Sequence, residues 1–209
     1  MRETKSFLFL FTIVLFVQGL LLNPINTHGY NNVIKSDDVT VKIKAKPMEQ
    51  FDLITPPIQK VDKVVVGSQM IQTRSNFNMP AQVIDIRGEH DGWELSISAE
   101  KFHNKDHVLP KGTLSLEAPK KIIPISENAV LPRNMMKRNT IIDDGGVMIA
   151  KANEGEGMGV FELDFGDEPL IVNLDPKRVE SGVYETEITW TLESGSGEKR
   201  ILKQDLIEL

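Results

Sequence analysis

Residues 184–192 read Tyr-Glu-Thr-Glu-Ile-Thr-Trp-Thr-Leu, and this alternating stretch decides the fold. Successive side chains of a β-strand point to opposite faces, so every second residue shares a face. One face carries Tyr184, Thr186, Ile188, Trp190 and Leu192. The other face carries only Glu and Thr, and this pattern predicts a half-buried strand.

The same short pattern occurs earlier in the chain. Residues 93–99 read Trp-Glu-Leu-Ser-Ile-Ser-Ala, so both tryptophans of the protein stand in a Trp-x-Leu sequence. Two interpretations of the indoles stay open. They are core residues on the buried face of a strand, or they form a platform for sugar rings or an anchor for a partner. We expect the indoles to point inward, with function carried by the surface that they support.

Further alternating runs surround these two segments. They are residues 38–45, 83–87, 112–118, 147–150, 160–165 and 170–174. Clusters of Gly, Asn and Asp separate several of these runs, which is typical of turns between short strands. The chain is therefore predicted to be all-β, a β-sandwich or barrel-like domain of many short antiparallel strands with long irregular connections. Proline-rich residues 46–80 are predicted to be irregular apart from one candidate strand at 63–66, and residues 119–145 to form a long connection or a lobe insertion.

The N-terminus has the pattern of an export signal. Arg2 and Lys5 precede an apolar run from Phe7, and small residues follow near position 29. An uncleaved membrane anchor is the alternative, but the apolar run is short for a membrane span. We predict a signal peptide at residues 1–29, a β domain at 30–193 and a charged C-terminal tail at 194–209. Removal of residues 1–29 would change the formal net charge from −6 to −7.

Composition excludes several classes of function. The 209 residues include no cysteine, so disulfides, thiolate metal sites and cysteine nucleophiles are absent. An isoelectric point near 5.3 argues against nucleic-acid binding, which needs a basic surface. We therefore expect no nucleic-acid partner.

No constellation of residues indicates catalysis or a cofactor. His103 and His107 are four apart but lack the Glu of a zinc-helix motif, so we expect them in a loop. Asp143-Asp144 and the acidic residues at 164–168 could bind calcium weakly, but solvated acidic turns are the expectation. Residues 155–159 are glycine-rich without a lysine, which favours a flexible turn over a phosphate cradle. We expect no enzyme activity, no metal and no cofactor.

Two longer motifs contain the Trp-x-Leu segments. The first runs from Asp85-Ile86-Arg87-Gly88 to Gly92-Trp93-Glu94-Leu95, and the second from Tyr184 through Thr189-Trp190-Thr191-Leu192. Together with the export signal they resemble the WxL-domain surface proteins of low-GC Gram-positive bacteria. The signature positions of that family are here Trp93, Leu95, Tyr184, Thr189, Trp190 and Leu192. The second motif departs from the family pattern because it runs on into a charged segment.

The resemblance implies a non-catalytic, secreted protein that attaches non-covalently to peptidoglycan at the cell surface. It also implies possible partners: other WxL proteins or a membrane-anchored protein with a related extracellular domain. One alternative function is assembly with such partners without direct glycan binding. A second alternative is a secreted enzyme that acts on glycans.

Overall fold

The structure is a computed structural model, and it describes residues 50–61 and 64–206. The predicted signal peptide and the predicted strand at 38–45 lie outside the described residues. In the described part the chain forms no helix and is built from strands connected by turns and loops. The strands are β1 Phe51–Ile54, β2 Ile71–Ser75, β3 Ala81–Asp85, β4 Trp93–Ala99, β5 Leu114–Leu116, β6 Lys121–Pro124, β7 Asn134–Met135, β8 Thr140–Ile141, β9 Val147–Ala152, β10 Gly159–Asp164, β11 Leu170–Leu174, β12 Thr186–Ser194 and β13 Lys199–Leu206.

The described strands form three antiparallel sheets. The first has the order β1-β3-β10-β6, the second β2-β11-β5-β8, and the third β13-β12-β4-β9-β7. We call the third the motif sheet because β4 and β12 carry the two Trp-x-Leu segments. The prediction of an all-β, sandwich-like fold of short antiparallel strands is confirmed.

One hydrophobic core receives side chains from all three sheets. Alternate residues of β3, β4, β10 and β12 are buried, as their period-2 sequences predict. A β-bulge interrupts the pairing of β4 with β9 between Leu95 and Ser96. Here Ile149 and Ala150, which are neighbours in sequence, are both fully buried. The bulge therefore adds an apolar side chain to the core that strict alternation would direct to solvent.

The sequence predicted several strand bounds well and others poorly. β4 and β11 match their predicted ranges, but β5 is shorter than residues 112–118. The carboxylate of Asp143 explains this difference because it accepts the N–H groups of Gly112, Thr113 and Leu114 at 2.8–3.1 Å. The N–H groups of Gly112 and Thr113 are thereby satisfied by a side chain instead of a neighbouring strand.

Three predictions need correction, two of irregular structure and one of a strand. Residues 46–80 contain β1 and β2, and residues 119–145 contain the short strands β6, β7 and β8. Conversely, residues 64–66 of the candidate strand at 63–66 are not in a strand, and Val65 is 89% exposed. Residues 199–206, assigned to a charged tail, form β13, which pairs with β12 along its length. The motif sheet thus extends beyond residue 193.

Candidate functional site

The two Trp-x-Leu segments are neighbours in space. β4 and β12 pair antiparallel, with Leu95 opposite Leu192 and Trp190 opposite Ile97. Trp93 lies opposite Ser194, at the other end of the shared ladder. The two signature segments therefore form one continuous apolar face at the centre of the motif sheet.

Both indoles point into the core. Trp93 is 2% exposed and Trp190 is fully buried. The Trp190 ring lies 5.9 Å from Phe77 and 6.2 Å from Phe165, centroid to centroid. The Trp93 ring lies 6.2 Å from Phe161. With their faces covered by other rings and aliphatic side chains, neither indole offers a platform for a sugar.

The indole N–H groups differ in their surroundings. Trp93 Nε1 donates to the carbonyl oxygen of Gly157 at 2.9 Å, whereas Trp190 Nε1 has no hydrogen-bond partner among the described residues. The 155–159 loop, which we expected to be a flexible turn, thus packs directly on Trp93. A Cβ atom at Gly157 would lie 2.4 Å from Trp93 Nε1, so only glycine fits there.

The remaining signature residues take separate places. Leu95 and Leu192 are fully buried in the core. Tyr184 is buried just before β12, and its hydroxyl accepts the N–H of Glu180 at 3.2 Å. Thr189 is half-buried on the outer face of β12, opposite Ser98 and Lys203. The structure therefore brings Trp93, Leu95, Trp190 and Leu192 to one face and places Thr189 on the other.

The Asp-x-Arg part of the first motif forms a buried ionic centre. Arg87, whose side chain is 5% exposed, donates two hydrogen bonds to Asp85 at 2.9 and 3.0 Å and one to Asp91 at 3.0 Å. Its guanidinium carbon lies 4.1 Å from the centroid of the Phe51 ring. Glu89 and Glu198 lie farther out, at 3.3 and 3.6 Å. This centre ties the 86–92 loop to β1 and to the turn between β12 and β13.

Charges in this centre shift two pKa values. The hydrogen bond to Asp85 raises the pKa of Arg87, and this effect exceeds the opposing effect of burial. Burial by itself would raise the pKa of Asp91. Hydrogen bonds from Ser196 and the charge of Arg87 outweigh it, so the pKa of Asp91 lies below its usual value. Both shifts favour the charged forms of Arg87 and Asp91, which hold the loops by charge-assisted hydrogen bonds.

The outer face of the motif sheet is polar and ordered in rows. One row crosses four strands in the register Lys199, Glu193, Glu94, Lys151. Lys199 pairs with Glu193 at 2.9 Å, and Lys151 pairs with Glu94 at 3.1 Å. The two glutamates lie directly opposite each other, an arrangement that is unfavourable without the flanking lysines. The next row crosses the strands as Ile201, Thr191, Ser96 and Met148.

An open groove of about 440 Å³ lies over these rows, and we call it the sheet groove. Its sheet residues are Glu94, Ser96, Lys151, Thr191 and Glu193, and its loop residues are Asp91, Asn153, Glu154, Ser194 and Gly195, with Trp93 and Ala152 completing the lining. Carboxylates, hydroxyls, an amide and an ammonium group thus share one concavity. The alternation in the sequence places several of these residues on the polar face of their strands but does not single them out. The sequence pattern that indicates these groove residues is the polar face of the same alternating segments whose apolar face carries the tryptophans.

The other candidate sites found in the sequence have structural roles or are dispersed. Asp143 is buried and bound to backbone N–H groups, so the expectation of a solvated turn was wrong for this residue. The exposed Asp144 pairs with Lys111 at 3.0 Å. His107 Nε2 lies 2.9 Å from the carbonyl oxygen of Arg178, and His103 is exposed. No group of three or more metal-ligating side chains occurs within residues 50–61 and 64–206.

The fold and the groove together define an all-β domain with a polar, grooved outer face on a sheet whose inner face packs on an aromatic core. No helix in the described part of the chain is long and apolar enough to cross a membrane. The family model described as "WxL domain surface cell wall-binding" matches residues 29–195, most of the chain, and the protein belongs to that family. It is accordingly a surface protein with a cell-wall-binding domain. Neither the curated proteins nor the solved structures contain a significant match.

Proposed function

We propose that this protein attaches non-covalently to peptidoglycan, without catalysing a reaction, and that the sheet groove receives the wall polymer. The observation that carries the proposal is the two-sided character of the motif sheet. Its inner face buries the signature tryptophans, while its outer face, in the same strands, carries a groove lined by hydrogen-bonding side chains. The signature residues then support the binding surface from behind.

The chemistry of the groove suits a peptidoglycan strand. The polymer carries hydroxyl and N-acetyl groups on its sugars and both amines and carboxylates on its peptides. Ser96 and Thr191 can donate or accept hydrogen bonds, and Asn153 offers an amide. The Glu94–Lys151 pair offers both signs of charge. A volume of about 440 Å³ falls within the range of roughly 300–1,000 Å³ typical of ligand sites.

The groove can be tested with one substitution on the floor and a matched control. Ser96→Arg would fill the groove with a long cationic side chain. Gln72→Arg introduces the same side chain at an exposed position of β2 in a different sheet. The measurement is co-sedimentation of the secreted protein with insoluble peptidoglycan, together with thermal melts. We expect Ser96→Arg to lose pelleting with a nearly unchanged melt and Gln72→Arg to pellet like wild type.

The outcomes separate the candidate functions. Folded wild-type protein that stays in the supernatant at every salt concentration would contradict peptidoglycan binding and would favour assembly with other surface proteins. Ser96→Arg that pellets normally would place the ligand elsewhere on the domain. Release of soluble sugar or peptide fragments during incubation would contradict the non-catalytic proposal.

A further inference from the structure

Three connections between strands border the sheet groove, and we call them the groove loops. They are residues 86–92, 153–158 and 195–198, which contribute Asp91, Asn153, Glu154 and Gly195 to its lining. The strands supply the floor of the groove, so its depth and shape depend on where the groove loops are held.

The groove loops are hydrogen-bonded to one another. The N–H of Gly155 donates to the carbonyl of His90 at 2.8 Å. The N–H of Gly195 donates to the carbonyl of Gly92 at 3.1 Å. His90 has a φ of 57°, a left-handed conformation that residues with a side chain seldom adopt and that persists where surrounding contacts impose it. The 86–92 loop therefore depends on its contacts for its shape.

Arg87 holds two of the groove loops from behind. Its guanidinium bonds to Asp85 at the end of β3 and to Asp91 in the 86–92 loop. The second carboxylate oxygen of Asp91 accepts the N–H of Ser196 at 2.8 Å, which extends the network into the turn between β12 and β13. Arg87 itself does not line the groove. Its contacts therefore fix the position of a groove residue, Asp91, without occupying the groove.

Glu156 holds the remaining groove loop with the opposite charge. Its side chain is 10% exposed and does not line the groove. One carboxylate oxygen accepts the backbone N–H groups of Asn153 and Arg133 at 3.1 and 3.3 Å, and the side-chain amide of Asn153 at 3.3 Å. The other oxygen pairs with Nε of Arg133 at 3.1 Å. The groove residue Asn153 is thus fixed through both its backbone and its side chain.

We propose that Arg87 and Glu156 are positioning residues of the sheet groove, which hold the groove loops in the shape that binds the wall polymer before the polymer arrives. The inference rests on the proposed binding role of the groove. A loop that is already ordered loses less conformational entropy on binding, so a pre-organised groove binds more tightly. Loosening either centre would weaken binding although every side chain that lines the groove is still present.

Two substitutions loosen the centres, and a third controls for lost stability. Arg87→Lys keeps the charge but loses the planar fork that binds two carboxylates. Glu156→Gln removes a carboxylate that accepts backbone N–H groups. Asp143→Asn does the same beside β5, where the N–H donors belong to residues 112–114, none of which lines the groove. Glu156→Gln and Asp143→Asn also change the net charge equally.

Hydrogen exchange of the secreted full chain without ligand measures the order of the groove loops. Co-sedimentation with insoluble peptidoglycan, well below every melting temperature, gives the dissociation constants. We expect Arg87→Lys and Glu156→Gln to exchange faster in the groove loops that they hold and to bind roughly tenfold more weakly. Asp143→Asn should lower the melting temperature but leave binding and exchange in these loops as in wild type.

The matched control decides between positioning and general stability. Asp143→Asn that weakens binding as much as Glu156→Gln would overturn the inference. Wild-type exchange rates in the groove loops of both variants, or faster exchange with unchanged binding, would also overturn it. If Arg87→Lys fails to fold, Glu156→Gln and its control decide alone. Folded wild-type protein that never pellets would contradict the proposed wall ligand alone, because exchange measures the order of the groove loops without any ligand.

Discussion

Trp93 and Trp190 have the same sequence neighbours but different chemical surroundings. Trp93 donates a hydrogen bond to the Gly157 carbonyl, while the buried N–H of Trp190 has no hydrogen-bond partner among the described residues. The two indoles therefore stabilise the domain in different ways. Trp93 fixes a loop as well as filling volume, whereas Trp190 only fills volume.

This difference predicts unequal effects of the same substitution. Trp93→Phe removes the donor to the Gly157 carbonyl, which is buried, and should lower the free energy of unfolding by about 1–3 kcal/mol from that loss alone. Trp190→Phe loses no hydrogen bond and is the matched control. Chemical denaturation of both variants measures the difference. A cost for Trp190→Phe equal to or greater than that for Trp93→Phe would contradict the assignment.

The depressed pKa of Asp91 predicts a pH effect on stability. A carboxylate whose pKa is lower in the folded state contributes fully above its unfolded pKa, about 3.9, and the contribution is lost as pH falls through the folded value. Asp91→Asn removes this titration. The stability difference between wild type and Asp91→Asn should therefore shrink below about pH 4, as measured by denaturant unfolding over a pH series. A difference that stays constant down to pH 2 would argue against the lowered pKa of Asp91 and the contacts with Ser196 and Arg87 that cause it.

β13 is a strand that the sequence pattern did not predict. Its inner face carries Arg200, Leu202 and Gln204, so two of three inward residues are polar and the apolar alternation is absent. The structure uses these polar groups directly. Arg200 donates to the Phe51 carbonyl at 3.0 Å, and Gln204 donates to Thr55 at 2.8 Å. A strand whose inward polar side chains bond to β1 and to the residues just after it shows no hydrophobic period in the sequence.

For the other strands, how well the sequence predicted them depended on whether one face is buried in the core. Strands with one face in the core, such as β4 and β11, showed a clear apolar pattern and were identified by it. The short edge strands β7 and β8 have two residues each and are specified by their partners, not by their own sequence. The burial of the signature tryptophans followed from the same alternation. The sheet groove could not be predicted from this alternation. It depends on which strands become neighbours, and on loops near residues 91 and 153 that meet only after folding.

Truncation tests how far the motif sheet depends on β13. A chain ending at Gly197 would lose the eight-residue ladder on β12 and the side-chain hydrogen bonds from Arg200 to Phe51 and from Gln204 to Thr55. We expect the loss of several kcal/mol, seen as a much lower melting temperature and rapid proteolysis. A chain that ends at Leu206 keeps the whole ladder and serves as the control. Identical melts for the two truncations would mean that β13 is dispensable.

At the scale of the whole molecule, net charge should govern how the protein reaches its wall ligand. With the predicted signal peptide removed, the chain would carry a net charge of about −7 and be repelled by anionic wall polymers. Salt shortens the range of this repulsion from roughly 30 Å at 0.01 M to 8 Å at 0.15 M. Binding to intact walls should therefore rise with salt over this range.

Walls stripped of anionic polymers provide the control for that prediction. Binding to stripped walls should change little with salt, or fall slightly where ion pairs such as Glu94–Lys151 contact the ligand. Co-sedimentation over a salt series measures both curves. Binding to intact walls that falls steadily with added salt would instead indicate attraction between the wall and a basic patch on the protein.

The position of β12 in the chain has a consequence for the biogenesis of this protein. The central partner of β4 is supplied by residues 186–194, which follow β4 only after seven further strands, and most tertiary contacts are long-range. A polypeptide threaded through a translocation channel from its N-terminus cannot close this core until residue 194 has emerged. The domain should thus cross the membrane unfolded and fold in one late step outside the cell. In that step Trp190 enters the core together with the strands that emerged before it.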